Sequence, residues 1–73
     1  MTTVARRIRE LREEQDINQG ELAARTLIAA PTLCDFEKGK RLPNADHLVK
    51  LADTLGVSVD YLLCRTGRRE VAE

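Results

Sequence analysis

Two separate helices have to fit between Asn18 and Gly39, and the residues that punctuate them leave little room for a connection. Asn18 is a strong N-cap, and Glu21 three residues later completes a capping-box pattern. Ile17, just before the cap, is spaced to pack on Leu22 as a hydrophobic staple. The helix started here is predicted to reach about Thr26. A second covers about Ala30 to Lys38. Pro31 falls in its first turn, where a missing N–H costs nothing, and Gly39 supplies the stop. Only Leu27 to Ala29 remain to join the two. Helices this short each bury one stripe, so further helices must close over them.

The rest of the chain supplies those helices. Val4, Ile8, Leu11 and Gln15 recur at helical spacing within a first helix of about Thr3 to Gln15. Lys40 to Pro43 read as an extended, partly basic link. Asn44 caps a fourth helix, with Asp46 in its first turn and an apolar stripe of Leu48, Val49, Leu51, Ala52 and Leu55 before Gly56. Ser58 caps a short fifth helix reaching about Leu63. The expectation is an all-α, five-helix domain over residues 1–66. Residues 67–73 form a charged C-terminal tail expected to be flexible. With one Phe, one Tyr and no Trp, the core must come from Leu, Ile, Val and Ala, a palette suited to helix-on-helix packing.

Charge and cysteine usage narrow the function classes. Twelve basic residues balance twelve acidic ones, so any affinity for a polyanion must come from a local stripe rather than the total. Cys34 and Cys64 stand apart and His47 is the only histidine, too few ligands for a structural zinc site. His47 itself reads as an exposed, unremarkable residue. No apolar run approaches the roughly 18 residues of a membrane span, and Met1 to Glu14 is too charged for a signal peptide. A reduced cytoplasmic protein without metal or cofactor is expected. No carboxylate pair, phosphate-cradling glycine loop or nucleophile–base set points to an enzyme, and no catalytic residue is assigned.

Several segments in order carry a resemblance. They are Ile8-Arg9-Glu10-Leu11-Arg12, Gln19-Gly20-Glu21-Leu22-Ala23, Thr32-Leu33, Phe36 through Pro43, Leu48 through Ala52, and Leu55 through Leu63. In this order and spacing the chain resembles the XRE family, the phage repressor and Cro type of helix-turn-helix domain, over about Val4 to Leu63. The resemblance implies a lambda-repressor-like fold that binds double-stranded DNA in transcription control. The second helix of the pair would enter the major groove. It implies that Ala30, Pro31, Thr32 and Asp35 face base edges. Asn18, Gln19 and Asn44 would meet phosphates at helix N-termini. Lys38, Lys40 and Arg41 would follow the backbone. Arg12 and Glu37 would pair beneath that surface.

This chain departs from the family pattern in three places. Leu27 stands where the family usually has Gly in the turn, which would strain a left-handed conformation. Ala29 stands where Ser or Thr usually caps the recognition helix. The outward positions carry no Arg, Lys, Gln or Asn for bidentate base contacts. Apolar contact to thymine methyls and acceptance from cytosine N4 by Asp35 are then the available readout. The alternative reading is a protein-interaction module that keeps this fold with base readout weakened or lost. A homodimer is expected, because one module of this size covers too little DNA for tight specific binding. Its contact is expected among Val57, Val59, Tyr61, Leu62 and Leu63, centred on Tyr61. A regulatory protein partner is a further expectation.

Overall fold

The computed structural model describes residues 3–70 as five helices and the turns between them. In chain order these are α1 (Val4–Glu14), α2 (Gln19–Thr26), α3 (Ala30–Lys38), α4 (Ala45–Leu55) and α5 (Val59–Leu62). They match the five expected segments to within a residue or so at the ends. Among the described residues no helix is long and apolar enough to cross a membrane.

Each start is fixed by a short polar side chain. Thr3, Asn18, Asn44 and Ser58 accept from the N–H three residues on, at 3.2, 2.8, 2.8 and 3.0 Å. Only α3 lacks such a cap, since Ala29 has no oxygen to offer. Gly39 and Gly56 end α3 and α4 in the left-handed region, at φ 75° in both cases, which a Cβ would disfavour.

One apolar core holds the helices together. Ile8 and Leu11 of α1, Leu22 and Ala23 of α2, and Leu33 and Phe36 of α3 meet Leu48, Leu51, Ala52 and Leu55 of α4. Ile17 is buried with Leu22, as a staple requires. Val57, Tyr61 and Leu62 close the cluster from the C-terminal side. Phe36 and Tyr61 are the two aromatics in this core, and aliphatic side chains fill the rest.

Four expectations change here. Val49 leaves the α4 stripe and is 50% exposed, because Leu48, Leu51, Ala52 and Leu55 already fill the inward arc. Gln15 is exposed, yet its Nε2 donates to the Leu55 carbonyl at 2.8 Å and ties the end of α1 to the end of α4. His47 is half-buried rather than idle: its ring lies 5.1 Å from Phe36 and its Nδ1 accepts from the Asn44 N–H, closing a capping box. The charged tail is tied down at Arg69, whose carbonyl accepts from the Ser58 N–H at 2.8 Å. Residues 71–73 lie outside the described residues.

Candidate nucleic-acid interface

The α2–α3 pair is built on a buried hydroxyl and a strained turn. The Thr26 hydroxyl donates to the Leu22 carbonyl at 2.8 Å and accepts from the Ile28 N–H at 3.4 Å. Leu27 then turns the chain at φ 59°, ψ 27°, the left-handed conformation that its branched side chain disfavours. Ile28 drops into the core and anchors the turn from below. The connection from Leu27 to Ala29 is the one expected from the sequence.

α3 presents two faces. Leu33, Phe36 and Glu37 are buried, while Ala30 and Pro31 are exposed and Thr32, Cys34 and Asp35 are half-exposed. The outward face is therefore apolar at its N-terminal end and acidic at Asp35. The helix closes with the Gly39 N–H donating to Phe36 at 3.2 Å and the Lys40 N–H to Asp35 at 2.9 Å.

Arg12 joins three elements beneath this surface. Its guanidinium grips the Glu37 carboxylate at 2.8 and 3.0 Å and donates to the Ile17 carbonyl at 2.9 Å. Because Ile17 directly precedes Asn18, one side chain brings the start of α2 beside the end of α3. The bidentate bonds to Glu37 hold Arg12 more firmly protonated than usual, against the opposing effect of burial. Such a pair contributes position more than stability.

The other candidate residues lie at the helix starts and just after α3. Gln19 is half-buried, and Asn18 is exposed with its side-chain oxygen engaged by the Glu21 N–H. The amide NH2 of Asn18 remains to donate outward. Asn44 at the start of α4 has the same division of labour with the His47 N–H. Lys38, Lys40 and Arg41 are all exposed immediately after α3.

Ion pairing shows how a neutral chain carries a basic arc. Arg6, Arg9, Arg12, Arg25, Lys50, Arg65, Arg68 and Arg69 each lie within 4 Å of a carboxylate. Arg7 instead donates to the carbonyls of Tyr61 and Thr66. Among the described residues, the cations left without such a partner are Lys38, Lys40 and Arg41, consecutive but for Gly39. On α1, Arg6 and Arg9 are neutralised by the glutamates four residues on, Glu10 and Glu13, as on a solvated face.

At the other end the expected dimer contact is corrected. Val57, Tyr61 and Leu62 are buried in the chain's own core, and Tyr61 is only 8% exposed. A one-turn helix has a single inward stripe, which Tyr61 and Leu62 occupy, and the ring of Tyr61 is covered by Arg7 at 4.1 Å and Arg69 at 5.4 Å. Half-buried Val59 and the more exposed Leu63 keep apolar surface outward. Sequence reasoning missed Arg7 and Arg69. Arg7 did leave a signal: Arg6 and Arg9 have Glu10 and Glu13 four residues on, whereas Arg7 has Leu11 and must find its partners elsewhere.

Five short helices, a tight turn within the second and third, and a basic arc following the third define the all-α helix-turn-helix class of lambda-repressor type. Residues 8–62 match the helix-turn-helix family model HTH_3, and the chain belongs to that family. It is 39% identical over 57 residues to the HTH-type transcriptional regulator DdrOP3 of Deinococcus deserti, a match covering 78% of this chain and 44% of that protein. The chain thus spans about half the length of the curated relatives it matches. Its fold superposes on the P22 c2 repressor in complex with a synthetic operator with a TM-score of 0.83 at 28% identity, covering 86% of this chain and 96% of that one. It also matches a chain of the SinR protein/SinI protein complex with a TM-score of 0.80 at 31% identity, covering 84% of this chain and 60% of that one.

Proposed function

We propose that this chain binds double-stranded DNA sequence-specifically and controls transcription as a repressor, acting as a cytoplasmic homodimer. The observation that carries the reading is the concentration of unpaired cations at Lys38, Lys40 and Arg41, beside the outward face of a recognition-type helix. A neutral chain that pairs its other surface arginines internally keeps its phosphate-binding charge for one place. The operator complex of the P22 c2 repressor and the naming of the relatives as transcriptional regulators support the same reading.

In this reading α3 lies in the major groove. Ala30 and Pro31 touch thymine methyls, the Thr32 hydroxyl contacts a base or phosphate, and Asp35 accepts from cytosine N4. The amides of Asn18 and Gln19 and the N-terminus of α2 hold one phosphate, and Asn44 at the start of α4 holds another. Lys38, Lys40 and Arg41 run along the backbone, and the Arg12–Glu37 fork keeps the two helix ends in register. Two copies pair through Val59 and Leu63 and place their recognition helices on half-sites about one helical turn apart. The SinR/SinI complex supports a regulatory protein partner as well.

The absence of bidentate side chains on α3 favours one second reading, a protein-interaction module with base readout lost. Selection of bound sites from a random duplex library separates them. A regulator enriches a palindromic consensus. Recovery of no consensus, with weak binding that is uniform across sequences, favours the interaction module.

A further inference from the structure

Between the start of α1 and the link from α3 to α4 lies an open groove of about 340 Å³. Small residues keep it open: Gly39 has no side chain, and the Cβ of Ala5 lies 4.0 Å from where a Gly39 Cβ would stand. Val4, Phe36, Leu42 and Pro43 give the groove apolar walls. Leu42 is 82% exposed, and Val4 is half-buried although it packs on the core. A lone exposed leucine means little, but this one borders a depression that is already apolar.

The charge around the groove has one sign. Its lining holds no carboxylate, and its one charged member is Arg41. Lys40 adjoins Arg41, and Lys38 directly precedes Gly39. These are the same three cations that, among the described residues, have no carboxylate partner. Two larger depressions differ. One sets Glu10, Glu13 and Glu37 beside Arg6 and Arg9, and the other sets Glu13, Asp16 and Glu21 beside Arg12, so their charges are balanced within the chain. A phosphate backbone would pair with the three cations but offers little to the apolar walls. A ligand that satisfies both carries apolar side chains flanked by carboxylates.

We propose that this groove is the docking site of a short acidic segment of a second protein, which seats its apolar side chains against Val4 and Leu42 and sets its carboxylates on Lys38, Lys40 and Arg41. The groove stands at the lower end of the range of ligand sites, about 300–1,000 Å³, and takes a few side chains rather than a folded surface. In the reading above the same cations hold phosphate, so the segment and the duplex exclude each other. A protein carrying such a segment would release the chain from its operator. The docking itself does not depend on the DNA reading, whereas the exclusion rests on it.

The probe is a blocked peptide of sequence Glu-Asp-Leu-Phe-Asp-Glu. One control has Ser for its Leu and Phe, and the other has Gln and Asn for its acids. Amide chemical shifts of the isotope-labelled full chain locate the contact, and fluorescence anisotropy gives the affinity. Shifts are expected at residues 3–5 and 39–43, with weaker binding of both controls. Leu42→Ser is expected to bind the probe about tenfold more weakly, and Arg41→Ala about two- to fivefold more weakly. Duplex binding by Leu42→Ser should be unchanged, and saturating probe should displace random duplex from the wild-type chain. Shifts confined to other residues, or none at millimolar probe, overturn the docking site, as does a serine control that binds equally well. Equal losses of probe and duplex affinity in Leu42→Ser would give the walls to DNA and overturn it as well. The same shifts on concentrating the chain alone would give the groove to a second copy, against the proposal. Probe and duplex bound together overturn the exclusion. A chain that takes the probe in the groove but binds no duplex overturns the DNA reading alone.

Discussion

At position 27 glycine should be more stabilising than alanine, the reverse of the usual order. It sits at φ 59° with 83% of its surface exposed. Holding an L-residue in this region costs about 1–2 kcal/mol. Truncating so exposed a side chain forfeits on the order of 0.3–0.5 kcal/mol of apolar burial. A glycine also adds about 0.4–1 kcal/mol of unfolded-chain entropy that folding must overcome. Leu27→Ala loses the burial and keeps the strain, so it should be neutral or slightly destabilised. Leu27→Gly loses the burial, gains the flexibility and sheds the strain. It should therefore exceed Leu27→Ala by about 0.5–1 kcal/mol, the difference of strain and entropy. For a domain of this size that separates the melting temperatures by about 2–8 °C. Thermal unfolding by circular dichroism and urea titration of the three proteins decide the matter. A Leu27→Gly protein no more stable than Leu27→Ala would refute the claim that the turn stores strain. The left-handed geometry is kept by glycine, so the angle between α2 and α3 should persist.

Three further outcomes follow from the same geometry. Glu37→Ala leaves Arg12 largely buried without its carboxylate and should cost about 3 kcal/mol by urea titration, while Arg12→Met/Glu37→Met should recover most of that loss. Equal losses in the single and double variants would show that the pair stabilises rather than positions. Ala29→Ser gives α3 the cap it lacks and should add about 1 kcal/mol, seen as a rise in melting temperature. Replacing thymine by uracil at individual operator positions should weaken binding at one or two of them by up to about 1 kcal/mol, and Pro31→Ser should remove that sensitivity. If no position responds, shape rather than methyl contact carries specificity.

The helices were legible because their boundaries are local chemistry. Caps at Asn18, Asn44 and Ser58 and stops at Gly39 and Gly56 act within four residues, and the apolar stripes need only helical periodicity. The assignment of DNA-facing residues came from the resemblance alone; Ala30, Pro31, Lys38, Lys40 and Arg41 are exposed, and their contact with DNA is a proposal. Non-local choices were hidden. Nothing in sequence separates Val49 from Leu48 or Leu51 until the width of the core is known. Tyr61 looked like a surface anchor because the two arginines covering it come from positions 7 and 69. The same long-range contact ties down a tail whose composition reads as loose. His47 was legible as a first-turn residue, but its packing on Phe36 depends on how α3 and α4 meet.

The salt dependence of duplex binding tests the basic arc most directly. Affinity for a selected operator and for random duplex is measured across a salt series for the wild-type chain and for Lys40→Ala/Arg41→Ala. Each phosphate contact contributes about 0.9 to the slope of log affinity against log salt concentration. The double variant should lose about two units of slope and weaken on both duplexes alike. A variant with the wild-type slope would take Lys40 and Arg41 out of the interface and contradict the assignment of this face to DNA.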